Sequence, residues 1–367
     1  MTLPLATIDW HSFLGRPPLP SPSSTRLEAV THVPFLITGA GGSFGSALAL
    51  RLTARDARLI LLESSETALY ELQRAFADHG ADGQPVFHLG SVGDSRLLAE
   101  IFALHRPRFA FHAAAFKHVP LLEEQPSAAI ANNVLATQTL VAAASAHDAH
   151  VVLLSTDKAV APASIMGATK RIAEQVTLAS GGTVVRLGNV LASRGSVAEV
   201  FAEQIAAGHP LTVTDPAARR YFITIAEAVD LLLSAACEPM SPSLFVPDLR
   251  ASHYIIDLAR FMAHTFAPNR DVPIEFTRLR AGDKESESLW SMAETPLAVG
   301  ANGLVRVDSP IVHVDRLQSL LHELRDAVES RELTTALAIL RKLVPDYAPS
   351  CAVRAQRSRL ESPVHDE

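Results

Sequence analysis

Short apolar runs alternate with amphipathic stretches along most of the chain. Five such runs, each followed by a stretch with helical character, are VPFLIT, RLILLE, PVFHLG, FAFHAAA and HVVLLST. This alternation predicts β-α-β units that form a parallel sheet with helices on both faces. The runs contain few polar residues, as strands buried on both faces require. We therefore expect an α/β protein with a doubly wound parallel sheet.

The regular pattern loosens after GTVVRLGNVL, which predicts a sixth strand. Residues 193–225 are predicted to form a loop, a helix and a short strand. A helix, a strand and a second helix are then predicted in IAEAVDLLLSAAC, LFVPD and YIIDLARFMAHTF. Towards the C-terminus, the pattern from HVDRL to LVPDY predicts two amphipathic helices.

A glycine-rich turn joins the first predicted strand to the first predicted helix. In FLITGAGGSFGSALA, Gly39, Gly42 and Gly45 form a G-x-x-G-x-x-G pattern. Glycines at this spacing allow a tight turn, close approach of a pyrophosphate and close packing of the helix on the strand. The helix N-terminus offers free N–H groups to the phosphates. The sequence therefore predicts a Rossmann-type dinucleotide-binding domain, with a purely structural glycine turn as the alternative.

Glu63 ends the second predicted strand, where an acidic residue usually bonds the adenosine ribose. An acid at this position disfavours a 2′-phosphate and therefore favours NAD over NADP. NADP stays open, because Ser64 and Ser65 follow directly and could accept a phosphate. In the later loop LGSVGD, we expect Ser91 and Val92 to lie near the adenine.

The stretch VVLLSTDKAVAPASIMGATK contains the candidate catalytic residues. Thr156, Asp157 and Lys158 directly follow a buried strand, at the edge where open α/β sheets bind ligands. Lys170 follows on a predicted helix, within reach of a nicotinamide ribose. Many nicotinamide-dependent enzymes have a Tyr four residues before this Lys, but Met166 stands here and has no ionisable proton. Either the site is inactive, or another residue carries the proton.

Composition narrows the class of protein. The 367 residues have a formal net charge of −7, which argues against nucleic-acid binding. Two cysteines cannot form a disulfide framework, and they fit a reducing cytoplasm. No apolar run reaches the length of a membrane span, and the N-terminus lacks the features of a signal peptide. We expect a cytoplasmic protein, and we assign no metal-binding residues.

Five segments resemble, nearly in register, the nucleotide-sugar 4,6-dehydratases of bacterial polysaccharide biosynthesis. They are TGAGGSFGS, FHAAAFKHVPLLEEQPSAAIANNVLAT, STDKAVAPASIMGATKR, VRLGNVLASRGSV and RRYFITIAEAV. The members of this family are extended short-chain dehydrogenase/reductase proteins with either Tyr or Met at the position of Met166. The likeness extends from FLGRPPLP to LVPDY, which is nearly the whole chain.

The resemblance implies a reaction on UDP-N-acetylglucosamine. NAD would take a hydride from C4, water would be eliminated across C5 and C6, and the hydride would return to C6. Asp157 and Lys158 would be the acid and the base, with Thr156 at the 4-hydroxyl, Lys170 at the cofactor and Met166 only lining the pocket. These roles require a raised pKa for Asp157 and a lowered pKa for Lys158, and we expect burial near cationic NAD and Lys170 to lower the latter.

Motifs and resemblance together imply which residues hold the ligands. Candidates for the cofactor are Gly39, Gly42, Ser43, Phe44, Gly45, Glu63, Ser91, Val92, Ala113, Ala114 and Lys170. Candidates for the UDP-sugar are Lys117, His118, Asn133, Asn189, Arg194 and Arg220. His118 could form a structural hydrogen bond as readily as it could act in catalysis. The amide of Asn133 could brace the catalytic loop. In RAGDKESESLW, Asp283 stands where the family usually has Glu.

We expect the chain to divide into four segments. Residues 1–32, rich in Pro and Ser, form an arm packed on the surface rather than a folded unit. Residues 33–190 form the NAD(P)-binding domain, and residues 191–310 form a smaller substrate-binding subdomain. A strand and a helix near 244–264 return from this subdomain to the sheet. Residues 311–367 form a polar tail and helices that pack on the protein or mediate homo-oligomerisation.

Two other functions stay open. A nucleotide-sugar 4- or 5-epimerase shares the fold and the C4 oxidation, but simple 4-epimerisation needs no acid for a 6-hydroxyl. The adjacent Asp157 and Lys158 therefore favour elimination. A catalytically silent NAD-binding regulator is supported only by Met166, and the intact Thr156, Asp157 and Lys158 oppose it. The exact sugar stays open, and the Met-type resemblance favours retention of configuration at C5.

Overall fold

A nine-stranded sheet forms the centre of the protein in the computed structural model, which describes residues 5–55, 57–78, 85–299, 302–310 and 312–355. Three two-stranded sheets accompany it in the described part of the chain. The strands are β1 (Phe35–Thr38), β2 (Leu59–Glu63), β3 (Val86–Leu89), β4 (Phe109–His112), β5 (His150–Thr156), β6 (Thr183–Leu187), β7 (Asn189–Val190), β8 (Leu211–Val213), β9 (Arg219–Arg220), β10 (Phe222–Ile223), β11 (Ser243–Pro247), β12 (His253–Tyr254), β13 (Ile274–Phe276), β14 (Thr295–Val299) and β15 (Leu304–Asp308).

The central sheet is parallel over most of its width, in the order β11-β6-β5-β4-β1-β2-β3. At the β11 edge, β15 and β14 continue it in antiparallel orientation. The chain enters the sheet at β1 and winds outward in both directions, so a switch point lies between β1 and β4. The doubly wound Rossmann-type sheet predicted from the apolar runs is confirmed.

Fourteen α-helices lie in the described part of the chain, and most of them cover the two faces of this sheet. They are α1 (Trp10–Leu14), α2 (Ser24–Thr31), α3 (Ser43–Thr53), α4 (Glu66–Asp78), α5 (Ser95–His105), α6 (Val119–Glu124), α7 (Pro126–Ile130), α8 (Ala136–Ser145), α9 (Ile165–Ala179), α10 (Val197–Ala207), α11 (Ile225–Ala236), α12 (Ile255–Phe266), α13 (Val314–Glu329) and α14 (Leu333–Leu343). One face packs against α5, α8, α9, α13 and α14, and the other packs against α2, α3, α4 and α11. Both faces are therefore apolar, as the unbroken strand patterns require.

The sixth strand is shorter than the sequence predicts. β6 ends at Leu187, and β7 pairs with β10 in a separate two-stranded sheet. A Cβ on Gly188 would collide with the Tyr221 carbonyl oxygen, so glycine allows the two segments to approach at this point. The chain leaves the central sheet here, and Asn189 comes within hydrogen-bonding distance of Lys158, just past β5.

The N-terminal arm packs on the rest of the protein, as expected, but it is more regular than its Pro-rich sequence suggests. It contains α1 and α2, and Trp10 and Leu14 are buried in an apolar cluster with α10 and α12. Arg16 pairs with Glu227 at 2.5 Å, and the Leu19 N–H donates to the same carboxylate at 2.9 Å. Apolar and ionic contacts together fix the arm in place.

The segment near 244–264 divides between two parts of the molecule. Its strand, β11, joins the central sheet beside β6, and its helix, α12, packs against α10. β14 and β15 also join the central sheet, although they lie within residues 191–310. The predicted C-terminal helices are present as α13 and α14 and pack into the core. Among the described residues, no helix has the length and apolar character that a membrane span requires.

A fully buried ion cluster ties three segments together. Arg186 on β6 forms two 2.8 Å hydrogen bonds with Glu174 on α9 and two with Glu294, just before β14. It also donates to the Leu289 carbonyl oxygen at 3.2 Å. Burial alone would raise the pKa of both carboxyl groups, but the Arg186 guanidinium outweighs burial and lowers each pKa. The cluster therefore holds the segment before β14 against α9 and β6.

Arg186→Met tests this cluster. The substitution leaves two buried carboxylates without their main partner, so the free energy of unfolding should fall by about 3–5 kcal/mol. Urea denaturation followed by circular dichroism measures the change. Arg260→Met is the control, because Arg260 and Asp257 form an exposed pair on α12 that should contribute at most about 1 kcal/mol. Equal losses in the two variants would contradict a stabilising role for the cluster.

Candidate functional site

The predicted phosphate loop connects β1 to α3 at the carboxyl edge of the sheet. Gly39 has a φ of 66°, and a Cβ there would lie 2.7 Å from the Ala114 backbone. A Cβ on Gly45 would collide with the Gly39 carbonyl oxygen, so only glycine permits this approach of helix to strand. Gly42 is the N-cap of α3 and provides no side chain to bond the first-turn N–H groups. Those groups are available to an anion.

Glu63 at the end of β2 bonds the backbone of this loop. One carboxylate oxygen accepts from the Gly41 N–H at 3.0 Å. The other accepts from the N–H groups of Ser64 and Ser65 at 2.8 and 2.9 Å. The carboxylate therefore lies beside the glycine loop and fixes the loop relative to β2.

The other candidate cofactor residues lie at the same edge of the sheet. The Ser43 hydroxyl accepts a hydrogen bond from the Arg194 N–H at 2.9 Å. The Ala113 N–H donates to the Thr38 carbonyl oxygen at 3.2 Å, which holds the end of β4 beside the loop. The structure therefore brings these residues to the ends of β1, β3 and β4: Ser43, Phe44, Ser91, Val92, Ala113 and Ala114.

Asp157 and Lys158 form an ion pair directly after β5. The Asp157 side chain is fully buried, and its Oδ1 accepts from the Thr156 hydroxyl at 2.9 Å and from Lys158 Nζ at 3.1 Å. Burial raises the pKa of Asp157, although Lys158 opposes the shift. A carboxyl group that holds its proton more tightly than usual is suited to act as an acid near neutral pH.

Lys158 faces acceptors from three segments of the chain. Besides Asp157, its Nζ donates to Asn189 Oδ1 at 3.1 Å and lies 3.6 Å from Glu287 Oε1. Burial acts to lower the pKa of Lys158, but the carboxylates of Asp157 and Glu287 outweigh it and raise the pKa. The expectation of a lowered pKa for Lys158 is therefore wrong: the adjacent Asp157 carboxylate contributes most to the increase, and Glu287 adds to it.

α9 carries Met166 and Lys170, one helical turn apart. The Lys170 Nζ donates to the Leu154 carbonyl oxygen at 2.7 Å, and burial lowers the pKa of Lys170 to about 8. Met166 is buried in the apolar core on this face of the sheet. A Cβ on Gly167 would collide with the Lys158 carbonyl oxygen, so glycine allows α9 to begin directly against the turn Asp157–Ala159.

The loops after β4 and β7 meet next to the phosphate loop. Lys117 Nζ donates to the Arg194 carbonyl oxygen. The His118 ring lies against Gly195, where a Cβ would be 2.6 Å from His118 Cε1. The Arg194 guanidinium instead pairs with Glu71 at 2.7 Å on the surface. The structure therefore brings Lys117 and His118 to the Arg194 backbone, while the Arg194 side chain points to α4.

Asn133 braces the loop after β4. Its Oδ1 accepts from the Phe116 N–H at 2.9 Å, and its Nδ2 donates to the Phe116 carbonyl oxygen at 3.1 Å. A further bond of 3.1 Å joins Nδ2 to the Thr169 hydroxyl on α9. Asn133 belongs to a π-helical turn, Ala131–Leu135, a geometry that is frequent at functional sites. In the structure its amide acts as a brace.

Residues 284–287 pack against the turn Asp157–Ala159 and the residue after it. Arg220 on β9 donates to the carbonyl oxygens of Lys284 and Glu285 at 2.8 and 3.0 Å. Lys284 Nζ donates to the Val160 carbonyl oxygen at 2.9 Å and pairs with Glu287 at 2.8 Å. The hydrogen bonds from Arg220 therefore hold this segment in place, and the segment brings the Glu287 carboxylate close to Lys158.

Lys284 and Glu287 were not predicted from the sequence, although a signal for Lys284 was available. The chain has only five lysines, and four of them lie at this site: Lys117, Lys158, Lys170 and Lys284. Lysine changes its pKa readily when buried, whereas arginine does not, so this distribution fits a site for proton transfer. Among the described residues, no group of three or more His, Cys, Asp or Glu side chains is arranged to hold a metal ion.

Residues 35–308 match the family described as polysaccharide biosynthesis protein. The chain belongs to this family. Its relatives include the probable polysaccharide biosynthesis protein EpsC of Bacillus subtilis (strain 168), which is 39% identical over 299 residues. The match covers 77% of this chain and 49% of EpsC, so the chain spans about half the length of that relative. The family resemblance inferred from the five sequence segments is confirmed.

Two further proteins are similar to this member of the polysaccharide biosynthesis family. A relative from Rickettsia rickettsii (strain Sheila Smith), named UDP-glucose 4-epimerase, is 36% identical over 273 residues, or 71% of this chain and 78% of the epimerase. The solved structure of Pen from Bacillus thuringiensis is 26% identical, with a TM-score of 0.69. It covers 77% of this chain and 88% of Pen. The similarity in structure therefore extends over about three-quarters of the chain.

Proposed function

We propose that the protein is a nucleotide-sugar 4,6-dehydratase that converts UDP-N-acetylglucosamine to the 4-keto-6-deoxy sugar. The observation that carries the proposal is the Asp157–Lys158 pair, an acid and a base 3.1 Å apart at the end of β5. Elimination of water needs both groups, one for the C5 hydrogen and one for the 6-hydroxyl. Membership of a polysaccharide biosynthesis family supports a sugar nucleotide as the substrate.

The glycine loop and Glu63 fit a nicotinamide dinucleotide. Gly39 and Gly45 allow the loop and α3 to pack closely on the backbone of the sheet edge, and the start of α3 offers N–H groups to a pyrophosphate. Glu63 lies beside the loop, and its carboxylate favours a ribose hydroxyl over a 2′-phosphate, hence NAD over NADP. Bound there, NAD supplies the acceptor for the C4 hydride and the donor that returns it to C6. Lys170, whose Nζ donates to the Leu154 carbonyl oxygen, would bond a ribose hydroxyl of the cofactor.

One proton shared by Asp157 and Lys158 serves the elimination. The Lys158 ammonium donates to the Asp157 carboxylate, so moving this proton along the hydrogen bond gives a neutral amine and a carboxylic acid. Burial raises the pKa of Asp157 and so reduces the cost of the transfer. Lys158 then removes the C5 hydrogen, and Asp157 protonates the departing 6-hydroxyl. This exchange allows Lys158 to act as the base although its pKa is raised.

The protons balance over one turnover. The Thr156 hydroxyl accepts the 4-hydroxyl proton while its own proton passes to a water molecule, so one proton leaves the site. After the elimination, Lys158 is an ammonium group again and Asp157 is a carboxylate, and Lys158 then protonates C5 from the same side, which gives retention of configuration. The pair is then one proton short, and a proton from water restores it and balances the proton released at C4. Met166 has no proton to exchange, and we assign it to packing.

A nucleotide-sugar epimerase is the second candidate, because the Rickettsia relative carries the name UDP-glucose 4-epimerase. Epimerisation at C4 removes and returns a hydride at the same carbon and releases no water. An epimerase therefore has no departing 6-hydroxyl for Asp157 to protonate, and the raised pKa of Asp157 would have no function. A silent NAD-binding regulator leaves both Asp157 and Lys158 without a task.

NAD(H) should stay bound through purification, because the hydride returns in each turnover and cofactor release serves no step. Mass spectrometry of the supernatant from denatured protein measures the cofactor. Glu63→Gln should raise the share of NADP, since it removes the charge that repels a 2′-phosphate. Glu66→Gln, at the exposed start of α4, is the control and should leave the ratio unchanged. Wild-type protein that yields only NADP would contradict the role given to Glu63.

With UDP-N-acetylglucosamine, the wild-type protein should form a product lighter by one water, as measured by mass spectrometry. Asp157→Asn and Lys158→Met should each lower kcat by about 10²–10⁴-fold, because each removes one partner of the proton transfer. Met166→Ala should keep a substantial part of kcat, because it removes packing alone. Lys158→Met should fail to exchange the C5 hydrogen with solvent deuterium, yet still reduce NAD, because C4 oxidation comes first.

Three results would overturn parts of this proposal. A product of unchanged mass with inverted C4 would identify an epimerase. No reaction with any UDP-N-acetylhexosamine would favour the silent regulator. Exchange of the C5 hydrogen at the native rate in Lys158→Met would remove Lys158 as the base and turn attention to His118 or Lys117.

A further inference from the structure

We propose that Glu287 is a positioning residue that holds Lys158 and sets the pH range in which the Asp157–Lys158 pair works. Its catalytic consequence rests on the proposed dehydratase function. The Lys158 Nζ lies 3.1 Å from both Asp157 Oδ1 and Asn189 Oδ1, to which it donates, and it forms an ion pair with Glu287 Oε1 at 3.6 Å. The amine that removes the C5 hydrogen is therefore oriented by three segments that are far apart in sequence.

The segment that carries Glu287 is anchored on both sides. Before Glu287, the Arg220 guanidinium holds the carbonyl oxygens of Lys284 and Glu285. After it, the buried Arg186 guanidinium holds the Leu289 carbonyl oxygen. Glu287 itself is 7% exposed. A carboxylate fixed in this way cannot move with the proton, so its charge acts on the neighbouring ionisable groups throughout turnover.

The charged groups that face Glu287 are Asp157, Lys158, Lys284 and Arg220. Burial would raise the pKa of Glu287, but Lys158 and Lys284 lower it, so Glu287 stays ionised. The pKa of Asp157 is raised by burial, and the Glu287 charge adds to the increase. Glu287 is therefore the permanent counter-charge of Lys158, which leaves Asp157 free to gain and lose a proton.

This fixed negative charge has a predictable effect on the pH profile. The working form of the Asp157–Lys158 pair holds one proton. At lower pH the pair holds two protons and at higher pH it holds none, and these two transitions are the acidic and basic limbs of the pH profile. A nearby negative charge favours the more protonated form at each boundary. Glu287 therefore moves both limbs of the profile to higher pH.

Glu287→Gln keeps the shape of the side chain and removes its charge. Both limbs of the pH profile of kcat/KM should move to lower pH by about 1–3 units. Glu287→Asp keeps the charge and should restore the native limbs at a lower kcat. Glu285→Gln is the matched control, since its side chain is exposed two residues away. Lys284→Met gives an independent check if Glu287→Gln does not fold, because loss of this cation should move both limbs to higher pH.

Competitive acetylation of the unliganded protein tests the inference without turnover. Acetic anhydride labels neutral amines, and peptide mass spectrometry gives the pH dependence at Lys158, with exposed Lys342 as the internal reference. Glu287→Gln should lower the pKa of Lys158. If this shift appears in a protein that forms no keto product, the proposed function fails and the positioning role stands. If keto product forms but neither the limbs nor the labelling shift, Glu287 only joins two segments, and the inference is wrong.

Discussion

The buried Arg186 guanidinium is the contact on which the candidate site depends most. It bonds Glu174 on α9 and Glu294 before β14 at once, inside a core from which water is excluded. A buried charge is costly without partners, so the three groups hold their segments in one arrangement against β6. α9 carries Lys170, and the segment before β14 carries Glu287. The position of Lys170 and Glu287 in the site therefore depends on the buried ion cluster of Arg186, Glu174 and Glu294.

Within this arrangement, we propose different roles for the two carboxylates beside Lys158, which belong to Glu287 and Asp157. Lys158 and Lys284 lower the pKa of Glu287 and keep it ionised, while burial raises the pKa of Asp157. A single carboxylate could not act both as a lasting counter-charge and as an acid. This division also answers the question raised by Met166. In the proposed mechanism, the proton exchange that a Tyr on α9 performs in other nicotinamide-dependent enzymes passes to Thr156 at the 4-hydroxyl, while Asp157 and Lys158 carry the elimination at the end of β5.

The features that could be predicted from the sequence depend on residues that are close together in the chain. Apolar runs gave the parallel strands, glycine spacing gave the loop before α3, and Asp157 and Lys158 are adjacent in the chain. Contacts between distant segments have no such signal. The predicted direction of the pKa shift of Lys158 was wrong because the adjacent Asp157 carboxylate outweighs burial, and Glu287, which comes from a distant part of the chain, adds to the increase. The break at Gly188 was missed because the apolar pattern continues across it, and the helix at Trp10 because it depends on burial against α12.

UDP-N-acetylglucosamine with deuterium at C4 gives the most direct test of the central claim, that one site oxidises C4, eliminates water and returns the same hydride to C6. Nuclear magnetic resonance and mass spectrometry of the product locate the label. The account predicts a product lighter by one water, with the deuterium at C6. A product of unchanged mass that keeps the deuterium at C4, with the configuration there inverted, would contradict it.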